Sequence, residues 1–198
     1  GSLQTACDFL SSGGPRTTMT QEGLAVFFEI YGHSMSQPRF LALCDRIEGV
    51  HMAEQGADFL EVYRWYRPRS ENEMEAFYNT QRCFRGAKLT GGKPFTKDVV
   101  YLAGLLGVYN FLRVAVKNQN RLLVESLVCG RMALEDVGTI AWLRTHGILN
   151  PPHYVPDWLS NWEGLLSFFS FSSAISSIDL SKFSGYFDDH FTLEDWDL

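Results

Sequence analysis

Apolar residues return every three or four positions through most of this chain, in segments bounded by Ser, Thr, Asp, Gly or Pro, and that period predicts helices throughout. No segment alternates apolar and polar residues as a half-buried strand does. Thr18 followed by Gln21 has capping-box spacing and predicts a helix from there to about Tyr31, with Glu22 near its start. Ser36 is the next expected N-cap, with Pro38 in the first turn and Phe40, Leu41, Leu43, Cys44, Ile47 and Val50 as the buried stripe. This helix is expected to run on, bent near Gly56, to Tyr66. Pro68 closes the stretch, and Ser70 with Glu73 predicts a second capping box opening a helix to about Phe84. A glycine-rich loop over 86–94 follows. Thr96 is then the expected cap of a helix over 97–117, whose apolar residues on all sides place it at the centre of the core. Shorter helices are expected near 121–129, 133–145, 156–173 and 180–187, with Gly147 as a left-handed stop after the second of them. The expected fold class is all-α, organised as residues 1–17, a helical domain over 18–187 and an acidic tail over 188–198.

Composition narrows the class. A chain of 198 residues that is 45% hydrophobic and 20% charged can bury a core and does not belong among disordered sequences. Seventeen basic against 23 acidic residues give a net charge of −6, which argues against a nucleic-acid partner. The charge is uneven: beyond Arg144 Lys182 is the only basic residue, against eight acidic ones. Cys7, Cys44, Cys83 and Cys129 are widely spaced, without a CxxC pair, so a reducing, cytoplasmic setting is expected. No uninterrupted apolar run reaches the ~18–20 residues of a membrane span, and the first residues lack a signal-peptide pattern. Gly1-Ser2 reads as a cloning scar, so the chain is expected to be part of something longer. The aromatic segment with Trp158, Trp162, Phe168, Phe169 and Phe171 has no cationic face and is expected in the core rather than on a membrane.

Several motifs can be set aside. Gly32-His33-Ser34-Met35-Ser36 resembles a nucleophile elbow but lacks the final glycine and follows a helix, so it reads as a helix-to-helix turn. The stretch from Ala87 to Pro94 resembles a phosphate loop with its first glycine replaced by Ala87 and its magnesium-binding hydroxyl by Pro94. His33, His51, His146, His153 and His190 are scattered, and none heads a His-Glu-x-x-His helix. Two clusters remain. Glu22 beside Gly23 is a carboxylate at a point where another helix can approach closely, a geometry that suits a metal held on a neighbouring helix, although the helix dipole alone would favour it there. Around the glycine-rich loop stand Arg82, Arg85, Lys93, Lys97, Asp98 and Tyr101. Arg82 and Arg85 share one helix face and Lys97 and Tyr101 another, which could clamp a carboxylate across a flexible loop; a solvated loop with a charged first turn is the simpler reading.

At these residues the chain is similar to the QEGLA-motif proteins, whose bacterial members carry the label flavohemoglobin expression-modulating and whose eukaryotic relatives include the microtubule-associated tyrosine carboxypeptidase. The matching blocks are 20–29 (TQEGLAVFFE), 53–61 (AEQGADFLE), 82–86 (RCFRG) and 94–113 (PFTKDVVYLAGLLGVYNFLR), with Leu134-Glu135-Asp136 and Ile178-Asp179-Leu180-Ser181 later. The resemblance implies a helical, zincin-like zinc metallopeptidase, a hydrolase acting as a carboxypeptidase on a peptide or protein C-terminus. It also implies two zinc-binding histidines and a catalytic base on an HExxxH helix, with Glu22 as third metal ligand. Three protein ligands would leave a fourth position for a water whose pKa the metal lowers toward ~7. The family places the HExxxH helix a few tens of residues before QEGLA, and it is absent from this sequence, so an upstream segment of the same protein is the expected partner. For the substrate carboxylate the expected residues are Arg82, Arg85 and Lys97, with Tyr101 as a donor to the tetrahedral oxyanion. The competing class is a non-catalytic helical regulatory or scaffold module. The haem-related reading suggested by the bacterial label has no haem motif behind it.

Overall fold

The computed structural model describes residues 7–14 and 16–178, and among them there are helices and no strands. The helices are α1 (Phe9–Ser12), α2 (Thr17–Tyr31), α3 (Gln37–Glu54), α4 (Phe59–Tyr66), α5 (Glu73–Cys83), α6 (Val100–Lys117), α7 (Arg121–Ser126), α8 (Val137–Thr145), α9 (Asp157–Ser160) and α10 (Trp162–Ser176). Short 3-10 turns lie at Arg67–Arg69, Thr96–Val99 and Leu134–Asp136. The all-α expectation holds over these residues. The helix expected at 180–187 and the acidic tail lie outside the described residues.

The most extensive pairing is α2 against α6. Its crossing rests on two glycines: a Cβ added to Gly23 would run into the backbone of Gly104, and one added to Gly104 would strike the carbonyl of Met19. From that crossing α2 sends Phe27, fully buried, into an aromatic cluster. Its ring lies 5.7 Å from Trp158, 6.0 Å from Tyr31, Phe168 and Phe169, and 6.4 Å from Tyr109, at tilted, edge and stacked angles. Burying such a side chain contributes roughly 2–3 kcal/mol, and each ring pair adds about 0.5–1.5. The aromatic segment of α9 and α10 thus belongs largely to the core, as expected, while Phe171 stays exposed. The stretch Thr96–Lys117 has the length and mean hydropathy, 1.7, to cross a membrane. Here it packs against α2, α3, α7 and α10, with Gly104, Leu105, Val108, Leu112, Ala115 and Val116 buried and Leu106 and Val114 exposed.

A second, smaller apolar cluster joins α3, α4 and α5 through Val50, Ala53, Val62, Tyr66, Ala76, Cys83 and Phe84. Gly49 makes room for it: an added Cβ would meet the Tyr66 ring at 2.8 Å, so the ring lies flat on α3 and its hydroxyl donates to the Asp45 carbonyl at 2.9 Å.

Several expected boundaries move, each for a local reason. α2 begins at Thr17 without a side-chain cap, so the box of Thr18 and Gln21 does not form and Glu22 falls in the second turn, beyond the reach of the dipole argument. Ser36 does cap α3, accepting from the Arg39 amide, but Phe40 and Leu41 are exposed and the buried stripe narrows to Leu43, Gly49, Val50 and Ala53. The chain does not bend through Gly56. It breaks there, at φ +102°, and restarts with a capping box in which Asp58 and Glu61 exchange bonds of 2.8 and 2.9 Å. Asn72, not Ser70, caps α5, because Pro68 holds a 3-10 turn through Arg69 and the Ser70 hydroxyl is left buried without a hydrogen-bond partner among the described residues. Thr96 opens a 3-10 turn uncapped. Asn161 accepts from the Gly164 amide and splits the helix expected at 156–173 in two, whereas Gly147, at φ +69°, sits just past α8 as expected.

If the α2/α6 crossing carries the fold, Gly23→Ala and Gly104→Ala should each destabilise the protein by about 1–3 kcal/mol through overpacking. Gly138→Ala, where an added methyl meets nothing within 4 Å, should be neutral or slightly stabilising. Urea unfolding midpoints of the three variants check this; a wild-type midpoint for Gly23→Ala would show that the helices do not rest backbone on backbone.

Candidate functional site

Glu22 is half-buried on α2, next to the residue at the crossing. It makes no hydrogen bond or ion pair with a described residue. The close helix approach that Gly23 suggested is present, and it sets the turn of α2 carrying Glu22 against the turn of α6 that follows Tyr101. Among the described residues no three His, Cys, Asp or Glu side chains gather as a metal-binding group. His33, His51 and His153 are exposed, His146 stacks on Trp142 with ring centroids 4.0 Å apart, and His190 lies outside the described residues.

The basic cluster is built where α3, α5 and the start of α6 meet. Arg82, in the last turn of α5, grips Asp98 with both edges of its fork, Nε to Oδ2 at 2.6 Å and Nη2 to Oδ1 at 2.8 Å. Asp98 is only 7% exposed, so this carboxylate is held in the protein rather than offered to solvent. Burial pushes its pKa up, but the Arg82 hydrogen bonds and the fields of Arg82, Arg46 and Arg85 outweigh that and hold it below the usual carboxylate value. In return the bond to Asp98 raises the Arg82 pKa, against the effect of burial. Arg46, on α3, lies over the Tyr101 ring, 5.7 Å from its centroid. Burial and the neighbouring Arg82 weaken its charged form, and Asp98 only partly offsets this. Burial likewise raises the Tyr66 hydroxyl and the Cys83 thiol, which face each other beneath the cluster.

Arg85 is exposed and lies over the Phe95 ring at 5.8 Å. It also lines a cleft of about 570 Å³ with Phe59, Phe77, Gln81, Phe84, Gly86 and Leu89. Lys97 is exposed and makes no ion pair with a described residue. The structure therefore brings Arg82, Asp98 and Tyr101 together, puts Arg85 at their edge, and leaves Lys97 facing solvent. The loop between them is not loose. Its backbone is tied by Gly92 N–H to the Ala53 carbonyl at 2.7 Å, by the Leu89 carbonyl to the Phe59 N–H at 2.9 Å, and by Phe95 N–H to the Cys83 carbonyl at 2.7 Å. Gly91, at φ +79°, lets it press against Gly56 and Ala57. This fixed course, rather than a phosphate cradle, accounts for the glycines. The elbow-like Gly32-His33-Ser34 is the expected turn between α2 and α3, with His33 at φ +55°.

Sequence reasoning missed Arg46 and the pairing role of Asp98. Arg46 stands in an apolar-looking stripe of α3, 55 positions from the ring it covers, and no local spacing signals that contact.

The pairing sets a pH dependence. The folded pKa of Asp98 lies below its ordinary 3.8, so the stability it brings is complete above that value and is lost as pH falls through the lower folded pKa. Asp98→Asn should cost about 2 kcal/mol at neutral pH, the worth of charged hydrogen bonds to a partly exposed guanidinium. The gap from wild type should narrow as pH drops below 3.8. Thermal unfolding of both proteins between pH 7 and pH 3 measures it, and a gap that does not narrow would mean that shape, not charge, is what Asp98 supplies.

No curated protein and no solved structure matches the chain. A family model does, described as microtubule-associated tyrosine carboxypeptidase and matching residues 1–177. That span takes in the α2/α6 crossing, Glu22, the arginine cluster and the aromatic cleft, and on it the chain belongs to the microtubule-associated tyrosine carboxypeptidase family.

Proposed function

We propose that this chain is the carboxyl-terminal part of a zinc metallo-carboxypeptidase, in which Glu22 is one metal ligand and the arginine cluster receives the substrate's C-terminal carboxylate. The observation that carries the reading is the family match over 1–177, which gives a carboxypeptidase-related function. Glu22 supports the finer assignment because it is a half-buried carboxylate with no partner among the described residues, set at a helix crossing. The residues described here do not fit a complete zinc site, since one carboxylate does not hold the ion. On this reading two histidines and the base come from an HExxxH segment elsewhere in the protein. The blocks around TQEGLAVFFE are the ground for placing the protein in the QEGLA-motif branch.

On the substrate side the chain's own residues suffice for an argument. A carboxypeptidase must hold a terminal side chain and the carboxylate beside it. The cleft of about 570 Å³ offers Phe59, Phe77, Phe84 and Leu89 to a side chain, within the usual size range of ligand pockets. Arg85 belongs both to that cleft and to the field around Asp98. Arg82 has two donors committed to Asp98, so its part is to fix the cluster as well as to bind. Lys97 adds charge from the rim, and the half-buried Tyr101 hydroxyl, with no partner among the described residues, is the donor proposed for the tetrahedral oxyanion. The four unpaired cysteines support a cytoplasmic setting.

Zinc measured by elemental analysis in the full-length protein and in its Glu22→Ala variant tests the metal assignment. One zinc per chain is expected in the first and a loss of most of it in the second, with the helical circular dichroism retained. Equal zinc in both removes Glu22 from the ligand set. A metal-free wild type that also lacks peptidase activity leaves the non-catalytic helical module as the better reading. Arg85→Ala should raise KM for a peptide substrate about tenfold or more while changing kcat less.

A further inference from the structure

Four arginines stand near one another on α3, on α5 and in the turn after it, and fewer carboxylates are paired with them. Arg39 is satisfied by Glu29, with Nε and Nη2 bonds of 3.1 and 3.2 Å. Arg82 takes both oxygens of Asp98. Asp45, next to Arg46 in sequence, has its Coulombic partner in Arg69. Arg85 has the Phe95 ring beneath it and makes no ion pair with a described residue. Arg46 is left half-buried, close enough to Arg82 and Arg39 to feel both as repulsion and to Asp98 to be partly compensated. Among the described residues it makes no hydrogen bond and no ion pair, and it lies over the Tyr101 ring.

A guanidinium carries five N–H donors in one plane. The half-buried guanidinium of Arg46 is repelled by Arg82 and Arg39 and only partly compensated by Asp98. The hydrogen-bonded pairs of Arg39 and Arg82 are complete without it. Arg46 also keeps solvent access, because Ser70 Oγ is the only fully buried polar side-chain atom without a partner among the described residues. The guanidinium carbon lies 5.7 Å from the centroid of the Tyr101 ring, and its donors are left to solvent. A flat, two-oxygen acceptor fits an open guanidinium edge through two parallel bonds.

We infer that Arg46 is the anchor of a carboxylate-binding site, with its guanidinium over the Tyr101 ring and close to the Arg82–Asp98 pair. Where this carboxylate is the substrate's C-terminus, the inference rests on the carboxypeptidase reading and gives that site its principal anion-binding residue. Arg82 is then a positioning residue, and Arg85 guides the ligand between cleft and anchor. Binding itself needs neither metal nor turnover.

The test is calorimetric titration of the full chain, in the presence of a chelator, with N-acetyl-Ala-Phe, with its C-terminal amide, and with inorganic phosphate. The acid is expected to bind at least tenfold more tightly than the amide and more tightly than phosphate. Arg46→Gln should lose at least tenfold in affinity for the acid, and Arg46→Lys should recover only part of it because a point charge replaces the fork. Because Arg46 makes no hydrogen bond or ion pair with a described residue, Arg46→Gln should change the melting temperature little. Equal binding of acid and amide, or unchanged binding in Arg46→Gln, overturns the site. Tighter binding of phosphate overturns the choice of carboxylate. With the chelator present, failure of the zinc assignment leaves these titrations unaffected, and a protein that holds zinc through Glu22 but binds acid and amide alike refutes the Arg46 site alone.

Discussion

The close crossing of α2 and α6 is the constraint from which the rest of the arrangement follows. Two glycines meeting backbone to backbone bring the helix axes nearer than any pair of side chains would allow. The closeness has two consequences. It seats Phe27 deep enough to collect rings from α6, α9 and α10, so the large apolar cluster is organised around one side chain. It also fixes the start of α6 relative to α2, and with it the 3-10 turn that carries Asp98. The turn is pinned at its other end by the bond from Phe95 N–H to the Cys83 carbonyl. Asp98 is therefore placed by both apolar clusters at once, and Arg82 finds it from α5.

The electrostatics at this junction combine one tightly paired carboxylate with a larger number of guanidinium groups. A buried ion pair offsets its own desolvation only when its geometry is good, and the Arg82–Asp98 pair meets that condition with two short, parallel bonds. Further cations around the pair bring desolvation and mutual repulsion, offset in part by their attraction to Asp98. On the proposed reading, an anion arriving at such a cluster gains from charges whose cost the folded protein has already met, the general reason that preorganised sites are locally strained.

Much of this was legible in the sequence, and the misreadings are instructive. Helical period identified the fold class, because an amphipathic stripe reflects burial directly. Gly23 announced a close approach, and the aromatic run of α10 announced the core. Helix starts were read less well. Ser70 with Glu73 and Thr18 with Gln21 have capping spacing, but spacing says nothing about whether the preceding chain is free to turn. Pro68 shifts the one to Asn72, and an uncapped start at Thr17 absorbs the other. The same spacing at Asp58 and Glu61 does form a box, since Gly56 at positive φ frees the chain just before it.

The site was legible as a set of charges and not as an arrangement. Arg82, Arg85, Asp98 and Tyr101 lie close enough in sequence for a local reading to group them, yet the same reading could not tell a paired arginine from an unpaired one. Pairing is a tertiary property. Asp98 faces Arg82 only because the tied 86–94 loop returns the chain to α5, and Arg46 enters only because Gly49 and Tyr66 draw α3 against α4 one turn further along. Arg46, without a hydrogen bond or ion pair among the described residues, is found only by accounting for donors and acceptors in three dimensions. The glycines that looked like a phosphate loop serve this geometry instead, by letting the loop's backbone tie to α3, α4 and α5.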